Sequence, residues 1–209
     1  ILGSLALGAV GWVSGMTNAW PAECVRLFDL ARARDPAALA LYRLMTPAFH
    51  LEVGEDHLAT LTFDLPGRRA NIFTREALAE LEQLLLALPR RDDIGCLVLV
   101  SAKAGMFIAG ADVAEIAGVS DPAQAEAGSR YGQRLFSAWE SLPFPTVSAV
   151  AGTCLGGGTE LSLASTYIVL SDRPDLRIGL PEVKLGILPA WGGCVRLPRR
   201  VGLVPALDL

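Results

Sequence analysis

Hydrophobic and polar positions along the middle of the chain follow two different periods. Residues 57–65 alternate between apolar and polar side chains, which predicts a half-buried strand. In residues 74–88 the leucines recur at helical spacing, and Thr74 stands where a helix N-cap is expected. Residues 96–101 are an unbroken apolar run, which is typical of a strand covered on both faces. These patterns predict the order strand, helix, strand.

The alternation continues beyond this point. Residues 123–142 predict a largely polar helix, residues 145–152 predict the next strand, and residues 156–166 open another helix. The side chains that the first of these helices is expected to bury are Tyr131, Leu135, Phe136 and Trp139. Strands that alternate with helices predict an α/β fold class.

Before about residue 50 the pattern is different. Residues 8–15 predict a buried strand that ends in glycine, residues 25–30 a helix, and residues 39–44 a second short helix. We therefore expect two parts, a strand–helix–helix segment over residues 1–50 and an α/β domain over residues 51–209.

The composition excludes several classes of function. The chain of 209 residues has a net charge of −4 and no basic patch, so we expect no nucleic-acid partner. Its two histidines and four well-separated cysteines predict neither a metal site nor a disulfide framework, which favours the cytoplasm. Residues 1–22 are uncharged, but Gly, Ser, Thr and Asn interrupt their apolar run, so we expect no membrane span or signal segment.

Three consecutive glycines, Gly156 to Gly158, mark the point where a predicted strand passes into a helix. Glycine lets a ligand approach the main chain, and the first N–H groups of a helix have no partner within the helix. Such a turn suits a negatively charged oxygen. A tight connection that uses glycine only for packing is the alternative, and the Gly-Lys-Ser/Thr sequence of a phosphate-binding loop is absent.

Two carboxylates, Glu160 and Glu182, each stand among apolar residues near this turn or after it. Glu160 also has a simple structural interpretation, as an acid that complements the helix dipole, and Glu182 has one as a surface partner of Lys184 or Arg177. If the two lie together and partly buried, their pKa values rise and separate, as general acid–base catalysis near neutral pH requires.

Three ordered motifs, at residues 107–116, 151–164 and 178–202, resemble the crotonase superfamily of enoyl-CoA hydratases and isomerases. Within it they are most similar to the N-terminal hydratase domains of the fatty-acid oxidation α-subunits. The resemblance implies a spiral of ββα units and hydration of trans-2-enoyl-CoA in β-oxidation, with isomerase activity as a further option. Another acyl-CoA reaction, or an inactive fragment or CoA-binding module, is the alternative.

The resemblance also implies roles for individual residues. Glu160 would activate the water that attacks C3, Glu182 would protonate C2, and the N–H groups of Ala109 and Gly157 would form an oxyanion hole. The residues implied to line the substrate or CoA site are Arg69, Ala70, Ala109, Gly110, Ala111, Asp112 and Gly156. No metal and no separate cofactor are expected, because coenzyme A is part of the substrate.

Some features depart from this family. Ala114 stands where many relatives have Lys, and the chain ends at Leu209, so we expect the helices that close the acyl pocket to be missing. Residues 1–50 instead resemble part of the dihydrodipicolinate synthase/N-acetylneuraminate lyase family, but they contain no Lys for its Schiff base. For partners, an acyl-CoA substrate is implied, and a homo-oligomer or a β-oxidation complex stays open.

Overall fold

A computed structural model of the chain describes residues 21–38 and 46–207. The chain divides into two compact units, residues 1–47 and residues 48–209. In the first unit, helix α1 (Pro21–Arg32) matches the helix predicted around residues 25–30. The strand predicted at residues 8–15 and the helix predicted at residues 39–44 lie outside the described residues.

The second unit contains two β-sheets. Its strands are β1 (Phe49–Val53), β2 (Leu58–Phe63), β3 (Cys96–Ser101), β4 (Met106–Ile108), β5 (Thr146–Val150), β6 (Thr153–Leu155), β7 (Tyr167–Leu170) and β8 (Ile178–Gly179). The larger sheet has the order β1-β2-β3-β5-β7, in which β1 and β2 are antiparallel and the other pairs are parallel. The smaller sheet has the parallel order β4-β6-β8. The expected boundary between residues 50 and 51 falls inside β1.

Within residues 48–207, six α-helices cover the sheets or follow them. They are α2 (Arg75–Ala87), α3 (Val113–Ala117), α4 (Pro122–Glu140), α5 (Gly157–Ala164), α6 (Gly193–Val201) and α7 (Leu203–Ala206), with 3₁₀ helices at Leu88–Arg90 and Pro181–Leu185. The predicted helix at residues 74–88 is confirmed with its cap, because the Thr74 hydroxyl accepts a hydrogen bond from the Ala77 N–H at 3.2 Å. Among the described residues, no helix is long and apolar enough to cross a membrane.

The core is built from the apolar faces that the sequence periods predicted. Strand β2 buries every second residue and α2 buries one stripe, and full burial of each large side chain contributes about 1.5–3 kcal/mol. The members of these two faces are Ala59, Leu61, Phe63, Ala77, Leu78, Leu81 and Leu85. In α4, Leu135, Phe136 and Trp139 are buried as expected, whereas Tyr131 is half-buried and donates a hydrogen bond from its hydroxyl to Glu82.

A row of aromatic rings crosses this core. Phe49 stacks on Phe63 with ring centroids 4.3 Å apart, and Phe63 stacks on Phe73 at 5.7 Å. Phe73 and Phe136 then meet the indole of Trp191 edge-on at 5.9 and 5.4 Å. Aromatic pairs at these separations are attractive beyond the area that they bury. The row therefore ties the edge of the large sheet to the loop before α6.

Candidate active site

The small parallel sheet brings three separate segments of the chain together. Its strands β4, β6 and β8 lie side by side, with Ile108 opposite Cys154 and Leu155 opposite Gly179. Because neighbouring parallel strands end at the same edge of a sheet, the segments that follow them meet there. These segments are the loop after β4, the glycine turn that opens α5, and the 3₁₀ helix that carries Glu182.

The glycine turn and the loop after β4 touch through their main chains. Gly110 and Gly156 have φ values of 101° and 53°, a region of backbone conformation that favours glycine. A side chain on Gly110 would begin 3.2 Å from the Leu155 carbonyl oxygen and 3.7 Å from the Gly157 nitrogen. The positive φ of Gly110 and this close approach both favour glycine, and the main chains of the two segments lie against each other.

The structure contradicts the predicted role of Ala109 as a donor to a substrate oxygen. Its N–H already donates a hydrogen bond of 2.8 Å to the Asn71 carbonyl. Two residues on, Ala111 forms an isolated bridge with Phe73 in which the flanking Gly110 carbonyl and Asp112 N–H make the hydrogen bonds. The N–H groups of Ala111 and Gly157 meet no acceptor among the described residues. These two are therefore the candidate oxyanion donors.

Glu160 lies in the first turn of α5, where its side chain is 2% exposed. Its Oε1 atom accepts hydrogen bonds from the N–H groups of Trp191 and Gly193, both at 2.8 Å. Burial raises the pKa of Glu160 to about 7, against the opposing effect of the two N–H donors, and the nearby Glu182 charge raises it further. Glu160 can therefore exchange a proton near neutral pH.

Glu182 lies against the glycine turn, in the 3₁₀ helix that follows β8. Its side chain is buried, and its Oε1 atom lies 2.9 Å from the point where a side chain on Gly156 would begin. Its Oε2 atom is buried without a hydrogen-bond partner among the described residues, and burial raises the pKa of this carboxyl. The alternative of a surface ion pair does not hold, because neither Lys184 nor Arg177 pairs with it in the described structure.

The residues expected to line a CoA site divide into two groups. Gly110, Ala111 and Gly156 lie in the two touching main-chain segments, the loop after β4 and the glycine turn, whereas Arg69 is exposed and Ala70 half-buried in the bend that precedes Asn71.

Asp112 has a structural task in the same region. Its carboxylate accepts a hydrogen bond from the Ala114 N–H at 2.9 Å, which caps α3, and forms an ion pair of 3.7 Å with Arg68. The carboxylate thus fixes the loop after β4 and is already engaged by protein groups.

Sequence reasoning missed the residues that hold Glu160 in place. The donors Trp191 and Gly193 and the buried Arg196 behind them come from a segment some 30 residues further along the chain. A side chain on Gly193 would begin 3.1 Å from Glu160 Oε1, so the double glycine after Trp191 reflects the approach of that carboxylate. In the sequence, the pair Gly192–Gly193 was the visible sign of a close approach, but it does not indicate which residue approaches.

Comparison with known proteins agrees with this geometry. A family model described as enoyl-CoA hydratase/isomerase matches residues 54–208. The fatty acid oxidation complex subunit alpha of Vibrio campbellii is 41% identical over 162 residues, and that of Vibrio cholerae is 44% identical over 163 residues. Each alignment covers 78% of this chain and 23% of the relative, so the chain spans less than a quarter of these proteins.

The crystal structure of enoyl-CoA hydratase from Bacillus anthracis is also similar. It superimposes with a TM-score of 0.71 at 31% identity, covering 78% of this chain and 61% of that one. The α/β crotonase fold expected from the three motifs is thus confirmed. The resemblance of residues 1–50 to the lyase family stays a prediction.

Proposed function

Because the chain belongs to the enoyl-CoA hydratase/isomerase family, we propose that residues 48–209 hydrate trans-2-enoyl-CoA thioesters in fatty-acid β-oxidation. The observation that carries this proposal is the pair of buried carboxylates beside the glycine turn: Glu160 lies in the helix that the turn opens, and Glu182 lies against Gly156 and is near enough for its charge to raise the pKa of Glu160. Both have raised pKa values, so one can hold a proton while the other accepts one.

The reaction begins with the thioester carbonyl oxygen between the N–H groups of Ala111 and Gly157. These donors stabilise the negative charge that the oxygen gains when the double bond is attacked, and each is typically worth about 3–4 kcal/mol. Glu160, ionised, takes a proton from water as the water oxygen bonds to C3. Glu182, protonated, gives its proton to C2 as the enolate collapses. Water is added across the double bond and no oxidant or metal takes part.

The same two carboxylates support isomerisation as a secondary activity, since one of them can carry a proton between C2 and C4. For the rest of the substrate, we propose that Arg69 binds a CoA phosphate, because it is an exposed cation in the bend that precedes Asn71. The relatives are named as subunits of a fatty acid oxidation complex, and a partner in such a complex and a cytoplasmic location belong to this proposal.

The decisive experiment follows crotonyl-CoA through the absorbance of its conjugated thioester. The purified chain should bleach this absorbance, and Glu160→Gln and Glu182→Gln should each lower kcat by about 10²–10⁴-fold. Lys184→Gln is the matched control, because Lys184 lies in the same 3₁₀ helix as Glu182 and is exposed.

Binding of butyryl-CoA, which has no double bond to hydrate, separates the alternatives. Binding without hydration by the unmodified chain would indicate a CoA-binding module. Full turnover by Glu182→Gln would show that the proton reaches C2 by another route.

A further inference from the structure

Arg196 is a buried cation on α6 that lies behind the loop over Glu160. Its side chain is 10% exposed, and a guanidinium buried to that extent needs partners for its N–H groups. Nε and Nη2 donate to Glu140 Oε2 at 3.0 and 2.8 Å, and Nη2 also donates to Ser137 Oγ at 3.3 Å. Both acceptors lie on α4, so one side of the guanidinium is anchored to that helix.

The other side of the guanidinium holds the loop. Nη1 donates to the Trp191 carbonyl at 3.1 Å. Along the chain this carbonyl stands between the two N–H groups, of Trp191 and of Gly193, that bind Glu160. A group that fixes the carbonyl between two donors also fixes the direction of both donors.

The loop is shaped to admit this contact. Gly192 has a φ of 114°, and a side chain there would overlap the Nη1 atom of Arg196. Gly192 is also the residue between Trp191 and Gly193, whose N–H groups bind Glu160. The absence of a side chain at Gly192 therefore lets the Arg196 guanidinium reach the main chain of the loop.

We propose that Arg196 is a positioning residue for Glu160, which anchors the Trp191 carbonyl to α4 and thereby aims the N–H groups of Trp191 and Gly193 at the carboxylate. The inference rests on the proposed function only for its catalytic consequence. The hydrogen-bond geometry and the titration of Glu160 are properties of the chain whether or not it turns over substrate.

The charges around Glu160 support the same role. Glu182, from the 3₁₀ helix, raises the pKa of Glu160, whereas Arg196, from α6, lowers it, as do the two N–H donors. The charge of Glu140, from α4, is taken up by its ion pair with Arg196 at 2.8 Å. Replacement of Arg196 by an uncharged residue removes a positive charge and loosens the N–H donors of Trp191 and Gly193. Both changes favour the protonated form of Glu160.

The test is a carbon-13 titration of the carboxyl groups in chain labelled with [δ-¹³C]glutamate, with the Glu160 signal identified by its loss in Glu160→Gln. In Arg196→Gln the Glu160 midpoint should move upward by roughly one pH unit. Arg200→Gln is the matched control: it lies on the same helix, but its guanidinium binds the carbonyls of Leu163, Ser165 and Thr166. In this control the Glu160 midpoint should stay in place.

Arg196→Lys separates position from charge and also serves if the Gln variant does not fold. It keeps the cation but cannot reach α4 and the Trp191 carbonyl together, so its midpoint should also rise. Crotonyl-CoA hydration should fall by about ten- to a hundredfold in kcat with KM little changed. An unmoved midpoint in Arg196→Gln, or wild-type titration and kcat in Arg196→Lys, overturns the positioning role, whereas a moved midpoint in an inactive chain leaves it standing and refutes only the hydratase proposal.

Discussion

The indole ring of Trp191 lies where a side chain on Gly132 would begin. The same ring also bounds the glycine turn, because a side chain on Gly157 would begin 2.7 Å from the indole Cζ3 atom. Phe73 and Phe136 pack edge-on against the indole. The Trp191 indole thus lies between helix α4 and the glycine turn. The main-chain N–H of the same residue donates a hydrogen bond to Glu160.

Gly132→Ala should therefore disturb the site as well as the fold. The added methyl group displaces the indole, and overpacking of this kind costs about 1–3 kcal/mol. Gly128→Ala, one turn earlier in the same helix, meets nothing within 4 Å and should stabilise the helix by about 0.5–1 kcal/mol. Thermal unfolding measures both changes, and equal stabilisation by the two variants would show that the indole moves aside without cost.

The buried carboxyl of Glu160 should make the stability of the fold depend on pH. Its pKa of about 7 in the folded chain lies above its ordinary value near 4.5, so the folded state holds this proton more tightly than the unfolded state does. The resulting stabilisation is complete below about pH 4.5 and is lost as the pH rises through about 7. Its full size is roughly 3 kcal/mol.

Glu160→Gln should remove this dependence, because the amide keeps an oxygen for the Trp191 and Gly193 N–H groups and carries no charge. The variant should match the wild type near pH 5 and exceed it by about 2–3 kcal/mol at pH 8.5. Urea unfolding at a series of pH values measures the difference. A constant difference across that range would mean that Glu160 titrates at its ordinary pKa.

Replacement of single main-chain N–H groups by ester oxygens tests whether Ala111, rather than Ala109, is the oxyanion donor in the loop after β4. With an α-hydroxy acid at position 111, kcat for crotonyl-CoA should fall by about 10²–10³-fold with little loss of stability. At position 109 the hydrogen bond to the Asn71 carbonyl is lost, so stability should fall by about 1 kcal/mol and kcat should change little. The reverse outcome would restore Ala109 as the donor.

We expect the Asn71 side chain to stabilise the fold through its buried hydrogen bonds. Its Oδ1 atom accepts a hydrogen bond from the Leu65 N–H at 2.8 Å, and its Nδ2 atom donates to the Phe63 carbonyl at 2.7 Å and to Ser101 Oγ at 3.0 Å. Asn71→Ala leaves these buried groups without partners and should cost roughly 3 kcal/mol or more. Ser101→Ala removes one contact of Asn71, together with the hydrogen bonds of the hydroxyl to the Met106 carbonyl and from the Lys103 N–H. It should cost about 1–3 kcal/mol in the same unfolding measurement.

Long elements with a clear period could be predicted from the sequence. Helices α2, α4 and α5 and strands β2, β3 and β5 lie where the apolar patterns place them. The strands of the small sheet have two or three residues each, too few to show alternation, and the main contacts of each lie with residues far along the chain.

The site was predictable to a similar extent. The two glutamates were identified by their apolar surroundings and the glycine turn, and both are buried beside that turn. The proposed donor in the loop after β4, the Ala111 N–H, was not predicted, because whether an N–H is free depends on where neighbouring carbonyls lie. The Asn71 carbonyl accepts the Ala109 N–H, and only the fold reveals this. The role of Arg196 was not predicted for the same reason, because its hydrogen-bond partners lie on α4 and on the loop before α6 and are not visible in the sequence.

The parallel pairing of the large sheet bears on the order in which this unit folds. Among its described strands, β1 and β2 pair as an antiparallel hairpin across a short turn, whereas β2–β3, β3–β5 and β5–β7 pair across tens of residues. Pairings across long loops form slowly, because loop closure costs entropy before any contact is gained. The donors to Glu160 lie beyond all of these strands, at residues 191 and 193. During synthesis from the ribosome, the described strands of the sheet and both glutamates therefore emerge before the segment that orients Glu160, so the hydrogen bonds to Glu160 can form only after those strands have been made.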